Sequence, residues 1–325
     1  MQLFRSIVRG VGGYLPPKCI KNSELEKSLE TSDSWIVERT GMKQRHVIEG
    51  TQNTSDLAAE AAKIALNNAE INANDIDLII VATVTPDHPF PATAARVQAK
   101  IGANKAFAFD VNAVCSGFIY ALSVADQYLK TGMAKRALVI GADAMSKILN
   151  WNDRATAVLF GDGAGALVLE AVDSNHQDYA RGIHSTHLFS NGNHYDLLYV
   201  ETANASAKQP GHVSMQGREI FKYAIKLIGE AVEAVLASNK MTVDAIDWFV
   251  PHQANLRIIE GISTHFKIPM EKMVVTVDRH SNTSAATIPL ALWEAVHDSR
   301  IQKNQNVVLE AMGGGLTWAS ALVKW

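Results

Sequence analysis

A cysteine, a histidine and an asparagine stand where they could act together. Cys115 lies in "DVNAVCSGFIYAL", where a predicted apolar strand gives way to a small-residue turn and a long apolar helix. His252 directly follows another predicted strand in "DWFVPHQAN", and Asn282 lies in "DRHSNTSAA". The first turn of a helix presents unpaired N–H groups and a partial positive charge, which favour a thiolate over a thiol. We therefore expect Cys115 to be a nucleophile with a lowered pKa, and the second cysteine, Cys19, to be structural.

Each of these residues also has an ordinary structural interpretation. A free cysteine is most often a small buried hydrophobic residue, and a histidine or asparagine after a strand can simply belong to the core or to a turn. Their positions favour a catalytic role, because open α/β sheets bind ligands at the carboxyl ends of parallel strands. A Cys/His/Asn set suits a cysteine hydrolase of the papain type. It also suits a condensing enzyme, in which two N–H donors stabilise the enolate of a thioester.

The elements that must position these residues occur twice along the chain. The segment "AAEAAKIALNNAEINANDIDLIIVA" resembles "IGEAVEAVLASNKMTVDAIDWFVPH", and the two strand–turn–helix segments that follow also match. In this repeat Cys115 and Asn282 occupy matching positions, so each is expected in the first turn of a helix that follows a strand. Continuous apolar strands between helices predict a mostly parallel sheet in each half. The sequence thus predicts an α/β protein of two duplicated halves, residues 1–172 and 173–325.

Composition narrows the classes of protein. The chain has 325 residues, of which 47% are hydrophobic and 19% charged, and its net charge is −3. This is enough apolar material for two domains, and it excludes a strongly basic nucleic-acid binder. The two cysteines lie far apart, which favours a reducing compartment over a disulfide framework. Neither a signal peptide nor an apolar run of roughly 20 residues is recognisable, so we expect a cytoplasmic protein that does not bind membranes.

Two other patterns are set aside. The segment "FGDGAGALV" has glycine spacing that resembles a dinucleotide-binding fingerprint, but that fingerprint requires a helix after the glycines. Here a strand is predicted to follow, so we expect a tight hairpin turn at the glycines. His184 and His187 lie close together without a carboxylate or cysteine nearby, and no metal site is expected.

Several long motifs resemble, in the same order, those of β-ketoacyl-[acyl-carrier-protein] synthase III. They include "TSDSWIVERTGMKQRH", "DVNAVCSGFIYALSVADQYLKTG", "VPHQANLRII", "DRHSNTSAATIPLAL" and "EAMGGGLTWASALV". The resemblance implies a thiolase-like fold, with two duplicated α/β halves in a five-layer αβαβα arrangement, and a homodimer. It implies a decarboxylating condensation of a short acyl-CoA, typically acetyl-CoA, with malonyl-acyl-carrier protein. This reaction initiates fatty acid synthesis and needs no metal or redox cofactor, since coenzyme A enters as a thioester substrate.

The resemblance also implies roles for individual residues. Cys115 would carry the acyl group, His252 and Asn282 would hold the malonyl thioester, and the N–H groups of Cys115 and Gly314 would form the oxyanion hole. The residues implied for coenzyme A are Thr31, Trp35, Arg39, Arg154, Gly217 and Asn255. The adenine would lie between the indole of Trp35 and the guanidinium of Arg154. The residues implied for the acyl pocket are Phe90, Leu159 and Met312, the last of which stands where the family usually has a phenylalanine.

A basic surface is expected to receive the acidic carrier protein. Arg218, Lys222 and Lys226 recur every four residues, so they lie on one face of a predicted helix. An acidic partner would need such a patch beside the entrance to the site, although a solvated helix face has the same pattern. The resemblance implies carrier-protein contacts at Lys222 and at Gln253, Ala254, Asn255, Leu256 and Arg257.

Overall fold

Two sheets form the centre of the molecule, and the computed structural model describes residues 4–201 and 211–325. The strands are β1 (Arg5–Tyr14), β2 (Cys19–Lys21), β3 (Gln44–His46), β4 (Leu78–Ala82), β5 (Phe107–Val111), β6 (Arg136–Ala144), β7 (Asp162–Val172), β8 (Gly182–Ser190), β9 (Leu198–Val200), β10 (Val213–Met215), β11 (Trp248–Pro251), β12 (Asn306–Gly313) and β13 (Thr317–Lys324). The helices are α1 (Asn22–Leu25), α2 (Asp33–Thr40), α3 (Thr54–Ala69), α4 (Thr93–Ile101), α5 (Gly117–Lys130), α6 (Arg154–Ala157), α7 (Gly217–Ser238), α8 (Leu256–Phe266), α9 (Val277–His280) and α10 (Thr287–His297).

The sheets are mixed, not mostly parallel as the sequence predicts. The first has the strand order β1-β7-β6-β4-β5, and the second has the order β11-β12-β13-β8. The pairs β4–β5, β4–β6 and β11–β12 are parallel, whereas β7 and β13 run antiparallel to both of their neighbours. In the second sheet the cause is local, because β12 and β13 are joined by the short turn 314–316 and must reverse direction.

Helices cover both sheets and also separate them, which confirms the five-layer thiolase-like fold. Helices α3 and α4 cover the outer face of the first sheet, α5 and α10 lie between the sheets, and α7 and α8 cover the outer face of the second. Successive side chains of a strand point to opposite faces of the sheet, so one strand packs against helices on both sides. In β4, Ile79 and Val81 face α3, whereas Leu78 and Ile80 face α5. None of the helices within residues 4–201 and 211–325 has the combined length and apolar character that a membrane span requires.

The two sheets repeat one pattern, but the repeat is incomplete. Strands β1, β7, β6 and β4 correspond to β8, β13, β12 and β11, whereas the expected strand before Asn282 is reduced to a single bridge between Met273 and Phe249. The buried side chain of Gln253 occupies its place. The Gln253 amide donates to the carbonyl of Val274 at 2.9 Å and accepts from the N–H of Thr276 at 2.8 Å.

The strands of the first sheet lie within residues 5–172 and those of the second within residues 182–324. These limits are compatible with a division of the chain after residue 172, which stays a prediction.

The expected hairpin in "FGDGAGALV" is wrong, because Gly161 directly precedes β7 and Gly163 and Gly165 lie inside it. A Cβ atom on Gly165 would lie 2.6 Å from the carbonyl carbon of Pro289, and one on Gly163 would lie 2.9 Å from the side chain of Leu290. Both contacts come from α10, which packs directly on the strand backbone. Gly163 and Gly165 therefore allow α10 to approach the strand backbone closely, and they do not mark a turn.

Candidate active site

Cys115 lies in a 3-10 turn, Val114–Ser116, that connects β5 to α5. Val114 has a φ of 49°, a left-handed conformation that β-branched residues rarely adopt. The turn is fastened to β13, since the Thr317 hydroxyl donates to the Ala113 carbonyl at 3.0 Å and the Ser116 hydroxyl donates to the Thr317 carbonyl at 3.0 Å. The second sheet thus holds the nucleophile of the first half in place.

The expectation of a lowered thiol pKa is wrong. Burial, joined by the negative charge of Asp143, raises the pKa of Cys115 to about 12. The hydroxyl of Ser284, 3.7 Å from the sulfur, acts in the opposite direction. Because only 4% of the residue is exposed, desolvation outweighs the field of the helix N-terminus. The thiol is protonated near neutral pH, and a base must take its proton when it attacks.

His252 can act as that base. Its Nδ1 lies 2.7 Å from the Thr287 hydroxyl oxygen, and that hydroxyl donates to the Ser284 carbonyl at 3.1 Å. A hydroxyl has one proton, so this network assigns the donor role to Nδ1 and leaves Nε2 unprotonated. Burial lowers the pKa of His252 to about 3, so the imidazole is neutral. Nε2 therefore has a free lone pair. Because the same burial makes it a weak base, it can take the thiol proton only as the sulfur attacks a substrate, and it must pass that proton on to the leaving group.

Asn282 is held so that its amide nitrogen remains as the donor. Its Oδ1 accepts from the N–H of Ser284 at 2.9 Å. Its backbone pairs with the first half of the chain, since its N–H donates to the Leu159 carbonyl and its carbonyl accepts from Gly161, both at 3.0 Å. The orientation of the amide follows from these bonds, and Nδ2 is the group that a substrate carbonyl could meet.

One cavity of about 830 Å³ brings Cys115, His252 and Asn282 together, as the sequence predicts. A second cavity, of about 270 Å³, adjoins Cys115 on the side of Gly314. The apolar residues of this second cavity carry no signal in the sequence. They come from separate segments of the chain with no shared motif: Val84, Met145, Ile148 and Val213.

Most of the residues implied for coenzyme A line the larger cavity, namely Trp35, Arg39, Arg154, Gly217 and Asn255, whereas Thr31 does not line it. The guanidinium carbons of Arg39 and Arg154 each lie 4.8 Å from the centre of the Trp35 ring. A base between two flat groups needs about 7 Å, twice a carbon–carbon contact of about 3.5 Å. Arg154 must therefore move outward by about 2 Å before an adenine can enter between it and Trp35.

The acyl-pocket residues are only partly brought together. Leu159 and Met312 line the larger cavity. Phe90 lies outside both cavities and is 84% exposed, so within one chain it cannot limit an acyl group. Its assignment to an acyl pocket stays a prediction.

The expected basic surface exists on α7, where Arg218, Lys222 and Lys226 are all exposed. Arg218 and Lys222 also line the larger cavity, which places this face at its mouth.

The other carrier-protein residues differ in accessibility. Ala254 and Asn255 line the larger cavity, Leu256 is half-buried, and Arg257 is exposed but donates to the Glu38 carbonyl at 3.1 Å. Gln253 is fully buried and bonded to the backbone, so a contact with a carrier protein is wrong for this residue.

The histidine pair set aside as a metal site has other partners. His184 Nε2 lies 3.1 Å from the Ala180 carbonyl oxygen, and His187 Nε2 lies 3.2 Å from the Ser185 hydroxyl. In the part of the chain that the structure describes, no group of three or more His, Cys, Asp or Glu residues could hold a metal ion.

Comparisons with known proteins agree with this geometry. Family models described as 3-oxoacyl-[acyl-carrier-protein] synthase III and its C-terminal part match residues 109–192 and 236–325. The β-ketoacyl-[acyl-carrier-protein] synthase III of Paramagnetospirillum magneticum is 56% identical over 322 residues, covering 99% of each chain. That of Rhodospirillum centenum is 54% identical over 321 residues, again covering 99% of each. The crystal structure of 3-oxoacyl-[acyl-carrier-protein] synthase III from Aquifex aeolicus has a TM-score of 0.93 at 40% identity, covering 98% of this chain and all of that one. The chain belongs to the β-ketoacyl-[acyl-carrier-protein] synthase III family.

Proposed function

We propose that Cys115, His252 and Asn282 catalyse a decarboxylating condensation. The chain is a condensing acyltransferase, and the reaction of its family initiates fatty acid synthesis. The acyl group of a short acyl-CoA, most simply acetyl-CoA, passes to Cys115 and then to the carbon that malonyl-acyl-carrier protein exposes on losing carbon dioxide. The products are 3-ketoacyl-acyl-carrier protein, coenzyme A and carbon dioxide. The observation that carries the proposal is the single cavity in which the three side chains meet residues suited to coenzyme A.

In the first step the thiol of Cys115 attacks the thioester carbonyl of the acyl-CoA. Its proton passes to Nε2 of His252, which the Thr287 network leaves free to accept it. The N–H groups of Cys115 and Gly314 stabilise the tetrahedral oxyanion. When the carbon–sulfur bond to coenzyme A breaks, the leaving sulfur takes the proton from His252, and the acyl group remains on Cys115.

In the second step the thioester carbonyl of malonyl-acyl-carrier protein accepts a hydrogen bond from Asn282 Nδ2. The carboxylate leaves as carbon dioxide, and the enolate that remains attacks the acyl group on Cys115. His252 can be the second donor if the Thr287 hydroxyl turns from the Ser284 carbonyl toward Nδ1, because the imidazole proton then resides on Nε2. The released thiolate takes one proton from solvent. No metal or redox group is needed, since loss of carbon dioxide drives the condensation.

The acidic carrier protein docks, in this proposal, on the exposed face of α7. Lys222 is already paired with Glu219 at 2.7 Å, but an exposed ion pair contributes little and can be exchanged. Lys226 is exposed and does not line the cavity. A substitution of Lys226 should therefore affect docking of the carrier protein without affecting binding of acyl-CoA. Lys226→Glu should raise KM for malonyl-acyl-carrier protein severalfold without changing KM for acyl-CoA. Lys63→Glu on α3 is the matched control, and equal effects of the two variants would contradict this docking face.

A homodimer is proposed through β5, an edge strand with open backbone groups. Phe107 on this strand is 42% exposed, and Phe109 and Val111 are only half-buried. The loop that carries the exposed Phe90 is fastened to the same strand, because the N–H groups of Thr93 and Ala94 donate to the Asp110 carboxylate at 2.6 and 2.7 Å. A second copy would cover both surfaces.

Light scattering during gel filtration tests this dimer. Phe107→Glu should give a monomer, whereas Leu188→Glu, which places the same charge on an exposed apolar residue of β8, should not. A dimer that persists in the Phe107 variant would refute pairing through β5.

The experiment that tests the function is intact-protein mass spectrometry. Wild-type protein is mixed with acetyl-CoA and then with malonyl-acyl-carrier protein. An acetyl adduct on Cys115 that discharges only in the second step supports the proposal. Cys115→Ser should form no adduct. His252→Ala should form the adduct more slowly, because it lacks the proton acceptor of the first step, and Asn282→Ala should form it at the wild-type rate. In both variants malonyl-acyl-carrier protein should fail to remove the acyl group. Equal loss of acylation in all three variants would contradict the division of roles.

The same measurement separates the alternatives. An adduct only with longer acyl-CoAs would indicate a relative that uses a different primer. Met312 and the residues that line the 270 Å³ cavity would then be the first to substitute. Discharge to water without malonyl-acyl-carrier protein would indicate a cysteine hydrolase. Failure to form any adduct would leave a binding protein with this fold.

A further inference from the structure

We propose that Ser284 is a positioning residue that connects Cys115, Asn282 and His252 through three different groups of one amino acid. The inference rests on the function proposed above. Ser284 is fully buried and opens the short turn Ser284–Ala286 that precedes α10. Its φ is 53°, a left-handed conformation that a serine seldom adopts without a compensating contact.

Each group of Ser284 reaches a different partner. Its hydroxyl oxygen accepts from the thiol of Cys115 at 3.7 Å, and the hydroxyl also hydrogen-bonds to the carboxylate of Asp143. Its N–H donates to Asn282 Oδ1 at 2.9 Å, which turns the amide nitrogen of Asn282 toward the cavity. Its carbonyl accepts from the Thr287 hydroxyl at 3.1 Å, and that hydroxyl receives Nδ1–H of His252. One residue therefore sets the orientation of all three.

The surroundings hold Ser284 in this conformation. The carboxylate of Asp143 accepts from the N–H of Ala285 at 3.0 Å, directly after Ser284. Its other oxygen accepts from the N–H of Val84 at 2.8 Å and from the Thr83 hydroxyl at 2.9 Å. Asp143 thus ties the peptide after Ser284 to the strand ends of the first sheet. Val114, the other left-handed residue beside Cys115, lines the same 270 Å³ cavity as Ser284.

The side chain and the backbone of Ser284 serve different steps. Among the groups of Ser284 only the hydroxyl touches Cys115, whereas the carbonyl acts on the thiol only through Thr287 and His252. Only the backbone N–H and carbonyl serve Asn282 and His252, so these links survive loss of the side chain. Glycine adopts a positive φ without strain, and Ser284→Gly therefore removes the hydroxyl and keeps the backbone. Thr287→Val removes the link to His252 and keeps the contact with Cys115.

The test compares two rates in each variant. The first is alkylation of Cys115 by iodoacetamide as a function of pH, which requires no turnover. The second is conversion of malonyl-acyl-carrier protein to acetyl-acyl-carrier protein. Ser284→Gly should slow alkylation about threefold to tenfold at pH 8, the size expected for loss of one hydrogen bond of ordinary strength, and leave decarboxylation within about twofold. Thr287→Val should show the reverse, with decarboxylation lowered at least about tenfold. Alkylation should stay within about twofold, because iodoacetamide reacts with thiolate already in equilibrium with solvent and needs no proton transfer to His252.

Ser281→Gly is the matched control. Ser281 has a φ of 56° in the same loop, but its hydroxyl donates to the Gln44 carbonyl at 2.8 Å, away from the site. It should change neither rate by more than about twofold. Equal loss of both rates in Ser284→Gly, or unchanged alkylation in that variant, would overturn the inference. Wild-type protein that fails to decarboxylate malonyl-acyl-carrier protein would refute the proposed function, whereas the alkylation comparison would still judge the contact between Ser284 and Cys115.

Discussion

Glu310 makes the stability of this protein depend on pH in a direction that can be calculated. Its carboxyl group is fully buried on β12, and among the described residues neither oxygen has a hydrogen-bond partner. Burial raises its pKa from 4.5 to about 8. Because the folded-state pKa is above the unfolded one, ionisation favours unfolding. The contribution of protonated Glu310 to the free energy of unfolding is fully present below pH 4.5. It is lost progressively as the pH rises toward 8.

The size of the effect follows from the shift. One pKa unit corresponds to about 1.4 kcal/mol, so the free energy of unfolding of the wild-type protein is lower at pH 7 than at pH 4.5 by up to about 3 kcal/mol. An unfolding entropy of about 2.1 cal/mol/K per residue gives about 0.7 kcal/mol/K for a chain of this length. Glu310→Gln keeps the size of the side chain and removes the ionisation. Its Tm should therefore rise relative to wild type by about 2 °C per pH unit between pH 5 and pH 8.

Differential scanning calorimetry from pH 5 to pH 9 measures this gap, with both proteins at one concentration so that association contributes equally. Burying the amide of glutamine costs the same free energy at every pH. The test is therefore how the Tm difference between the two proteins changes with pH, and not its absolute size. Glu230→Gln, on the exposed side of α7, controls for the loss of one carboxylate. A gap that stays constant or narrows between pH 5 and pH 8 would show that Glu310 is not the buried acid described here.

Three further predictions concern other parts of the molecule. Burial raises the pKa of Glu294, but hydrogen bonds from His280 and Arg279 outweigh it and lower the pKa to about 2. Stability from this group is present above pH 4.5 and lost as the pH falls toward 2, so Glu294→Gln should cost about 1–3 kcal/mol at pH 7 and almost nothing near pH 2, measured by urea unfolding. Trp35→Ala should raise KM for acetyl-CoA about tenfold and leave KM for acetyl-pantetheine unchanged, and a rise for both would place the adenine elsewhere. Asp143→Asn removes a charge that raises the pKa of Cys115, so iodoacetamide should alkylate the thiol faster at pH 8 although Tm falls, and slower alkylation would contradict this role.

The sequence predicted the fold and the meeting of Cys115, His252 and Asn282 because both depend on patterns that a chain displays. Apolar periodicity marks the strands, and Cys115 and Asn282 both lie in the segments that lead into α5 and α10. The prediction that they occupy matching positions is wrong, because α5 begins two residues after Cys115 and α10 begins five residues after Asn282. Hydrogen bonds between residues far apart in the sequence produce no such pattern. Gln253 lies within a motif, yet only the structure shows that its amide replaces a strand and is inaccessible.

Conformation and desolvation are equally hidden in the sequence. The segment "SNTSAA" does not predict the left-handed backbone of Ser284, because serine has no preference for a positive φ. The thiol pKa was predicted in the wrong direction for a similar reason: the helix start is visible in the letters, whereas the depth of Cys115 depends on β13 and on the turn before α10.

The unequal ends of the two sheets bear on how copies of this chain can associate. In the first sheet the outermost strand β5 leaves a row of backbone groups available. At the corresponding end of the second sheet, the Gln253 side chain bonds to residues 274–276 from within the chain. A protein with two open ends can add copies at each and grow into a fibre, whereas an open end matched to itself about a twofold axis is used up in one pairing. A single glutamine would then help to limit assembly to a closed pair.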